Sequence, residues 1–256
     1  MSDAGGNAPG PSPGARRRGE LARAGGAFPA SARPAGGEGR RPPRWLPPPP
    51  PPPRRILRHG RSKANEAGII VATLENGVKP EYSLAPLGQE QAREAGRSLA
   101  RALGIEDGEP RGAEGPVVLY CSPFSRTVET ATLAGAAVGL APGGPGFTEA
   151  PALRERFFGS RLELQPHEHY AEAWAIDQAD PTAPVPGDVP GESAAAVSGR
   201  LREFLLETDA RHEGTTVLLV AHGDVLQILQ ATVRGTPLGE HRRDYAIETG
   251  QLVRVL

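Results

Sequence analysis

The chain has 256 residues, and its charges nearly balance, with 29 Lys and Arg against 30 Asp and Glu. A formal net charge of -1 excludes the basic excess that is typical of nucleic-acid-binding proteins. The single cysteine, Cys121, excludes an intrachain disulfide and a zinc site built on several cysteines. No apolar run approaches the ~18 residues that a membrane-spanning helix needs, so we expect no membrane segment.

The first 53 residues differ in composition from the rest of the chain. They hold 14 of the 28 prolines and 8 arginines but no lysine, and they end in a proline run at 47–53. Such a segment buries too little apolar surface to offset the entropy of ordering, so we expect residues 1–53 to be a disordered tail. Three interpretations of the tail stay open: a solvated extension, an Arg-rich transit peptide, and a ligand for a proline-recognising module or an anionic partner. A cytoplasmic chain is favoured, with organelle import by this segment as the alternative.

Residues 54–256 have the length of one domain, and short apolar runs in them predict strands. The first strand is confined to Arg54–Arg58, because the prolines before it cannot donate hydrogen bonds to a sheet. The runs at 117–120 and 217–221 are typical of buried parallel strands. The last run, at 252–256, alternates and predicts a less buried strand.

Amphipathic segments lie between these runs and predict helices. One helix starts at Pro86 and stops at Gly104, and three more helical or partly helical patterns follow it along the chain. The apolar positions are Leu87, Ala92, Ala95, Leu99 and Leu103 in the first helix; Thr127, Thr130 and Ala134 after the second strand; Val197, Leu201, Phe204 and Leu205; and Val225, Ile228, Leu229 and Val233. Strands alternating with helices predict an α/β fold with helices on both faces of the sheet.

Two histidines, each followed by glycine, come directly after predicted buried strands. His59 follows the first strand and His222 follows the strand at 217–221. Ligands of α/β folds bind beyond the carboxyl ends of the strands, so we expect the two imidazoles to face one site. A neutral imidazole is a good nucleophile toward phosphorus, and the forked donors of Arg58 and Arg126 match phosphoryl oxygens. A carboxylic acid such as Glu155 can protonate a departing alkoxide, and this chemistry needs no metal.

The segment Arg58-His59-Gly60-x-Ser62-x-x-Asn65 resembles the signature of the histidine phosphatase superfamily, in its phosphoglycerate-mutase-like branch. The resemblance covers about residues 55 to 256 and continues in the same order through four further blocks. These blocks are Ser122-Pro123-x-x-Arg126-Thr127-x-x-Thr130-Ala131, Leu153-x-Glu155-x-x-x-Gly159, Gly191-Glu192-Ser193 and Val220-Ala221-His222-Gly223.

The resemblance implies a three-layer α/β/α sandwich with a mostly parallel central sheet. It implies that His59 takes the phosphoryl group as a phosphohistidine, with Glu155 as proton donor and then as base. His222 is expected to take part in catalysis as well. The residues expected to bind the phosphate are Arg58, Asn65, Arg126 and His222. The substrate would be a small phosphorylated metabolite, with no cofactor and no metal.

The same phosphohistidine serves a mutase and a phosphatase. The stretch from 159 to 191 is short and holds no dense arginine cluster for a substrate carboxylate, which favours transfer to water. A phosphoglycerate-mutase-type phosphotransferase and a catalytically weak phospholigand-binding relative are the alternatives.

Two other features of the domain are given structural interpretations. Cys121 ends a buried strand and is expected to serve packing rather than catalysis. The sequence His167-Glu168-His169 suggests a metal site, but side chains two residues apart do not converge on a helix face, so a solvated loop is expected.

Overall fold

The computed structural model describes residues 51–106, 109–110 and 117–255. The predicted tail therefore lies almost wholly outside the described residues, as does Leu256. The strands are β1 (Arg54–Arg58), β2 (Ile105–Glu106), β3 (Glu109–Pro110), β4 (Val117–Cys121), β5 (Phe147–Glu149), β6 (Thr216–Ala221) and β7 (Leu252–Arg254). The α-helices are α1 (Lys63–Ala67), α2 (Leu74–Gly77), α3 (Pro86–Leu103), α4 (Ser125–Gly135), α5 (Tyr170–Ala179), α6 (Ala194–Arg211), α7 (Gly223–Arg234) and α8 (His241–Asp244). Short 3-10 helices cover Pro80–Tyr82, Ala136–Val138, Pro151–Leu153, His167–His169 and Leu238–Glu240.

Five strands form the main sheet in the order β5-β4-β6-β1-β7. All neighbours pair in parallel except β7, which runs antiparallel to β1 at one edge. The strands β2 and β3 form a separate two-stranded hairpin. The mostly parallel sheet agrees with the prediction, whereas β5 and the hairpin were not predicted, because two or three residues are too few to show a period.

The first strand is only five residues long, yet it pairs along its whole length with β6. Proline cannot donate to a ladder, but its carbonyl still accepts, and the Pro53 oxygen takes the N–H of Val217 at 2.9 Å. Beyond the strand, the N–H of His59 continues the ladder to the carbonyl of Ala221 at 3.0 Å. The short strand thus fixes the backbone of His59 beside the end of β6.

Alternate side chains of the central strands enter two cores, one on each face of the sheet. On the first face, Ile56 and Leu219 pack with residues of α6 and α7. On the second face, Leu57 and Leu218 pack with residues of α3 and α4. The result is the three-layer α/β/α sandwich that the resemblance implied.

The predicted apolar face of α3 is correct except at Leu87, whose side chain is 54% exposed. Leu87 lies in the first turn, and α3 instead approaches its neighbours there through the small residue Gly88. Further along, a side chain on Gly96 would overlap the backbone of Ala134 in α4. The two helices pack closely because of these small residues, which a hydrophobic pattern does not mark.

No helix in the described part of the chain is long and apolar enough to cross a bilayer.

Candidate active site

A cavity of about 260 Å³ opens at the carboxyl ends of β1 and β6, where the sequence predicted a site. The six residues predicted for the site all lie in this cavity or directly beside it. The described residues that line the cavity are Arg58, His59, Ser62, Ala64, Asn65, Ile69, Val71, Arg126, Glu155, Phe158, His167, Tyr170, Trp174, Gly223, Asp224, Gln227 and Arg242. His222 is fully buried at its floor, with its ring centroid 5.3 Å from that of His59.

The surroundings of His59 fix the tautomer of its ring. Its Nδ1 lies 2.7 Å from the carbonyl oxygen of Gly60, and a carbonyl can only accept, so Nδ1 carries the proton. The Nε2 then holds the lone pair, and it accepts from Nε of Arg126 at 3.3 Å. Burial, followed by the charges of Arg126 and Arg58, lowers the pKa of His59 well below 6.5. The imidazole is therefore neutral at physiological pH, with its lone pair directed toward Arg126 at the cavity.

The turn that carries His59 is fixed to two neighbouring helices. The N–H of Gly60 donates to Oγ1 of Thr130 at 3.1 Å, and that hydroxyl donates to the carbonyl of Arg126 at 2.7 Å. Gly60 also faces Gly88 of α3, where any side chain would overlap the backbone. Glycine follows the first histidine because a helix backbone packs directly against it.

Arg126 occupies the first turn of α4 and is almost fully buried. One of its terminal nitrogens, Nη2, donates to the carbonyl of Val71 at 3.0 Å. The same Nη2 lies 3.7 Å from a carboxylate oxygen of Glu155, and the guanidinium also packs over the ring of Phe124. Nη1 is buried without a partner among the residues that the structure describes, and Arg126 lines the cavity.

Arg58 approaches the cavity from the end of β1. Its Nη1 donates to the carbonyl of Ile247 at 2.8 Å. Its guanidinium lies over Gly223, where a Cβ would come within 3.1 Å of it. The glycine after the second histidine thus makes room for an arginine side chain.

His222 starts α7 and bonds through Nε2 to the hydroxyl of Ser122 at 2.8 Å. That hydroxyl accepts from the N–H of Phe124 and still has its hydrogen to donate, and when it donates to Nε2 the imidazole proton lies on Nδ1. Nδ1 is 3.5 Å from a carboxylate oxygen of Glu155. Ser122 belongs to a motif block noted in the sequence, but its role in orienting His222 was not predicted.

Glu155 follows the 3-10 helix Pro151–Leu153 and is only 6% exposed. Burial raises the pKa of Glu155 to about 7, against the attraction of Arg126. Its Oε2 faces His222 and Arg126, and its Oε1 accepts from the N–H of Arg156 at 3.0 Å. A carboxyl group with this pKa exchanges a proton near neutral pH, as a general acid and base must.

Asn65 lies in α1, directly below the cavity. Its side-chain oxygen accepts from the N–H of Ser62 at 3.1 Å in a capping box that starts this helix. The capping box uses only the oxygen of this side chain, and Asn65 lines the cavity.

Four nitrogens around the cavity share an unusual property. Arg58 Nε, Arg126 Nη1, Trp174 Nε1 and His222 Nδ1 are buried, and within the described residues they have no hydrogen-bond partner. Burying a donor without a partner is costly, because it loses its hydrogen bonds to water. Donors that converge in this way around a neutral imidazole suit an anion with several oxygens, such as a phosphoryl group.

Sequence reasoning did not predict the outer wall of the cavity. Tyr170 and Trp174, one turn apart in α5, stack with ring centroids 5.4 Å apart and planes 8° apart. His167 packs on Tyr170 and bonds to the carbonyl of Ile69 at 2.9 Å. The expectation of a solvated loop at 167–169 was therefore wrong for His167. The carbonyl of Ile69 and the ring of Tyr170 hold its side chain against the wall of the cavity. The spacing of the two aromatic rings was the only signal in the sequence.

Cys121 is fully buried at the end of β4. Burial raises the pKa of Cys121 to about 12, so the thiol stays protonated and serves packing, as expected. In the described ranges, no group of three or more His, Cys, Asp or Glu side chains is arranged to hold a metal ion.

The fold and the site define an α/β/α protein with a cationic, histidine-bearing cup at the carboxyl ends of its strands. The chain belongs to the histidine phosphatase superfamily (branch 1), whose family model matches residues 55–255.

Two curated relatives match most of the domain. The metal-independent phosphoserine phosphatase of Arabidopsis thaliana is 29% identical over 178 residues, which cover 68% of this chain. The match spans 65% of that enzyme, slightly less than two thirds of its length. The probable phosphoglycerate mutase GpmB of Serratia proteamaculans is 29% identical over 194 residues, covering 73% of this chain and 77% of that protein.

Solved structures share the fold. Mycobacterial hydrolase 1 superposes with a TM-score of 0.62 at 22% identity, over 80% of this chain and 91% of that one. This likeness supports the architecture alone.

Proposed function

We propose that this protein is a phosphoric monoester hydrolase that acts on small phosphorylated metabolites through a phosphohistidine at His59, without a metal. The observation that carries the proposal is the lone pair of His59 Nε2, which faces Arg126 in a cavity whose buried donors have no partner among the described residues. In this proposal, the phosphoryl oxygens bind Arg58 Nε, Arg126 Nη1 and His222 Nδ1, and Asn65 contributes its amide.

The first step forms the covalent intermediate. His59 Nε2 attacks phosphorus, and the bond between phosphorus and the ester oxygen breaks. The departing alkoxide takes the proton of Glu155, whose raised pKa keeps it protonated up to about 7. The positive charge that develops on the ring is stabilised by the Nδ1–H bond to Gly60. Arg126 Nε, released from Nε2, turns its hydrogen toward a phosphoryl oxygen.

The second step returns the enzyme to its starting state. Glu155, now a carboxylate, takes a proton from water while the oxygen of that water attacks phosphorus. The bond between phosphorus and Nε2 breaks, and its electron pair returns to His59. Inorganic phosphate leaves, and Glu155 is again protonated.

Water rather than a second substrate is the proposed acceptor. The segment 159–191 is short and builds one wall of the cavity instead of an arginine-rich cover. A mutase-type phosphotransferase differs only in returning the phosphoryl group to an organic acceptor, and the relative from Serratia bears a mutase name. A catalytically weak relative is disfavoured because each residue needed for the two steps is present.

The test uses the full chain with 4-nitrophenyl phosphate in the presence of excess EDTA. We expect stoichiometric release of inorganic phosphate and an acid-labile phosphoryl label on the protein. The His59→Ala variant should lose the label and at least about 10⁴-fold in turnover, the scale for a lost nucleophile. His169→Ala is the matched control, because this histidine is partly exposed and bonds to Glu172.

Two results would contradict the proposal: turnover that requires an added divalent metal, or wild-type turnover in the His59 variant. Transfer of the label to an added alcohol or phosphoacid faster than to water would favour the mutase alternative instead.

A further inference from the structure

The residue directly after the proton donor is an arginine that does not reach the cavity. Arg156 follows Glu155 in the sequence, and its side chain is the largest fully buried one in the described part of the chain. It is not among the described residues that line the cavity, and it has no role in the proposed steps. Removing a guanidinium from water is costly unless its donors are paired, so the contacts of this side chain are the next question.

The guanidinium of Arg156 joins three separate segments. Its Nη1 and Nη2 donate to the two carboxylate oxygens of Asp177, near the end of α5, at 2.5 and 2.8 Å. Nη1 also lies 3.2 Å from a carboxylate oxygen of Asp224, in the first turn of α7. Nε donates to the carbonyl of Glu192, just before α6, at 2.9 Å. The planar fork of an arginine can make these contacts together, whereas the single ammonium of a lysine cannot.

Two of the joined segments also carry parts of the active site. Asp224 lies two residues after His222, whose Nδ1 is 3.5 Å from Oε2 of Glu155. Asp177 belongs to α5, the helix that forms the outer wall of the cavity. Arg156 therefore connects the backbone beside the proton donor to the backbone beside the second histidine and to the wall.

The carboxyl group of Glu155 is held from its own backbone rather than by partners across the cavity. Its Oε1 accepts from the N–H of Arg156 at 3.0 Å. Its Oε2 faces His222 and Arg126 at 3.5 and 3.7 Å, which is longer than an ordinary N–H···O hydrogen bond. Whatever fixes the backbone at Arg156 therefore also fixes the place of this carboxyl group.

We propose that Arg156 is a positioning residue for the proton donor: its contacts with α5 and α7 hold the carboxyl group of Glu155 where the leaving oxygen departs. The inference rests on the proposed function, in which Glu155 protonates that oxygen. A displacement of ~1 Å from the reacting atoms can lower a rate about 100-fold. Loosening Arg156 should therefore slow the reactions that depend on protonation by Glu155 and spare those that do not.

The test replaces Arg156 by lysine in the full chain and compares two esters. The alkoxide that leaves propyl phosphate needs a proton, whereas the phenolate that leaves 4-nitrophenyl phosphate needs little protonation. In Arg156→Lys, kcat for propyl phosphate should fall about 10–100-fold, and kcat for 4-nitrophenyl phosphate should stay within about threefold of the wild type. Arg161→Lys is the matched control, because this arginine pairs at the surface with Glu172 of the same helix α5. The control should leave both values unchanged.

A double-mutant cycle decides whether Arg156 acts through Glu155. In the Glu155→Gln protein the proton donor is already lost, so adding Arg156→Lys should lower kcat for propyl phosphate by less than about threefold more. A residue that only stabilises the fold would lower kcat by the same factor in both backgrounds.

A milder variant serves if Arg156→Lys does not fold. Asp177→Asn keeps the shape of the partner, but its amide has one acceptor oxygen in place of two and carries no charge. We expect a smaller loss, about 3–10-fold, again for propyl phosphate alone, the scale of one weakened hydrogen bond.

The pKa of Glu155 gives a readout that needs no turnover. Burial raises this pKa to about 7, and the groups whose charges act on the carboxyl group are Arg58, Arg126, Tyr170, Arg200, His222 and Asp224. Neither variant changes any of these groups. In Arg156→Lys and in Asp177→Asn the loosened carboxyl group should meet more water, and its pKa should fall to about 6 or lower. NMR titration of the full chain with isotope-labelled glutamate measures the pKa, with Glu155→Gln to assign the signal.

The outcomes separate the two proposals. Equal losses on the two esters, additive losses in the cycle, or wild-type kcat in both variants would overturn the positioning role, and so would an unchanged pKa of Glu155. If the wild type hydrolyses neither ester, the proposed function fails, while the titration still decides whether Arg156 holds the carboxyl group in its buried place.

Discussion

The floor and the outer wall of the cavity are built on different principles. On the floor, His59, Arg126 and His222 are fixed by backbone ladders and helix starts, and buried donors have no partner in the described part of the chain. On the wall, the rings of Tyr170 and Trp174 stack and Arg242 lies on Trp174, whose indole N–H is likewise buried without a described partner. An unpartnered cationic donor in a rigid frame is suited to charge that appears during a reaction, whereas a stacked aromatic surface is suited to selecting ligands. Changes at the floor should therefore act on kcat, and changes at the wall should act on KM.

The largest effect among the following variants is expected for Glu155→Gln. The amide cannot donate a proton, so kcat for propyl phosphate should fall by about 10²–10⁴-fold. Turnover of 4-nitrophenyl phosphate, whose leaving group needs little protonation, should fall much less. The exposed Glu207→Gln change on α6 is the control. Equal losses on both esters would argue against a proton-donor role.

The raised pKa of Glu155 also predicts a pH profile. The acid form is needed for the first step and is lost as pH rises through about 7, so kcat for propyl phosphate should decline about tenfold per pH unit above that value. The neutral form of His59 is present throughout this range, because its pKa lies well below 6.5. Stopped assays from pH 5 to 9 would measure the decline. If kcat of the Glu155→Gln variant declines with pH in the same way, the decline belongs to another titrating group.

A smaller loss is expected for Arg126→Ala. Removing one donor to a transferring group typically lowers kcat by roughly 10²–10³-fold. Arg126→Lys should recover little, because one ammonium cannot reach His59, Val71 and the phosphoryl group together. Steady-state kinetics with 4-nitrophenyl phosphate measure the change, with Arg97→Ala on the exposed face of α3 as control. Activity within threefold of wild type would remove Arg126 from the phosphate site.

The smallest effect is expected at the wall. Trp174→Leu removes the ring on which Arg242 rests, and a partly exposed cation–π contact accounts for roughly 2–30-fold in affinity. The change should appear in KM rather than in kcat, and Trp174→Phe should retain part of the stack. A fall in kcat as large as that of Arg126→Ala would contradict the claim that the wall acts on KM and the floor on kcat.

The floor could be predicted because its residues belong to continuous segments. His59 and His222 each follow a buried strand, and parallel strands place their carboxyl ends at one edge of a sheet. Arg58 and Arg126 also lie close to strand ends. Residues next to strand ends in the sequence therefore lie close together at one edge of the sheet. The two long helices on each face were predictable for a similar reason, since their apolar period is long enough to recognise.

The wall could not be predicted, because its members are far apart in the sequence and carry no shared pattern. Trp174 and Arg242 lie 68 positions apart, and only the packing of α5 beside α8 brings them together. The interpretation of His167 failed for the same reason, since the carbonyl of Ile69 that holds it is nearly a hundred residues away.

The amino-acid sequence by itself determined the alternation of strands and helices, the edge of the sheet where a ligand binds, and the identity of the groups that meet there. Tertiary structure alone decided the tautomer of His59, the raised pKa of Glu155 and the contact of Arg242 with the ring of Trp174. Each of these depends on burial and on the direction of neighbouring dipoles, and those quantities exist only once distant segments have excluded water from between them.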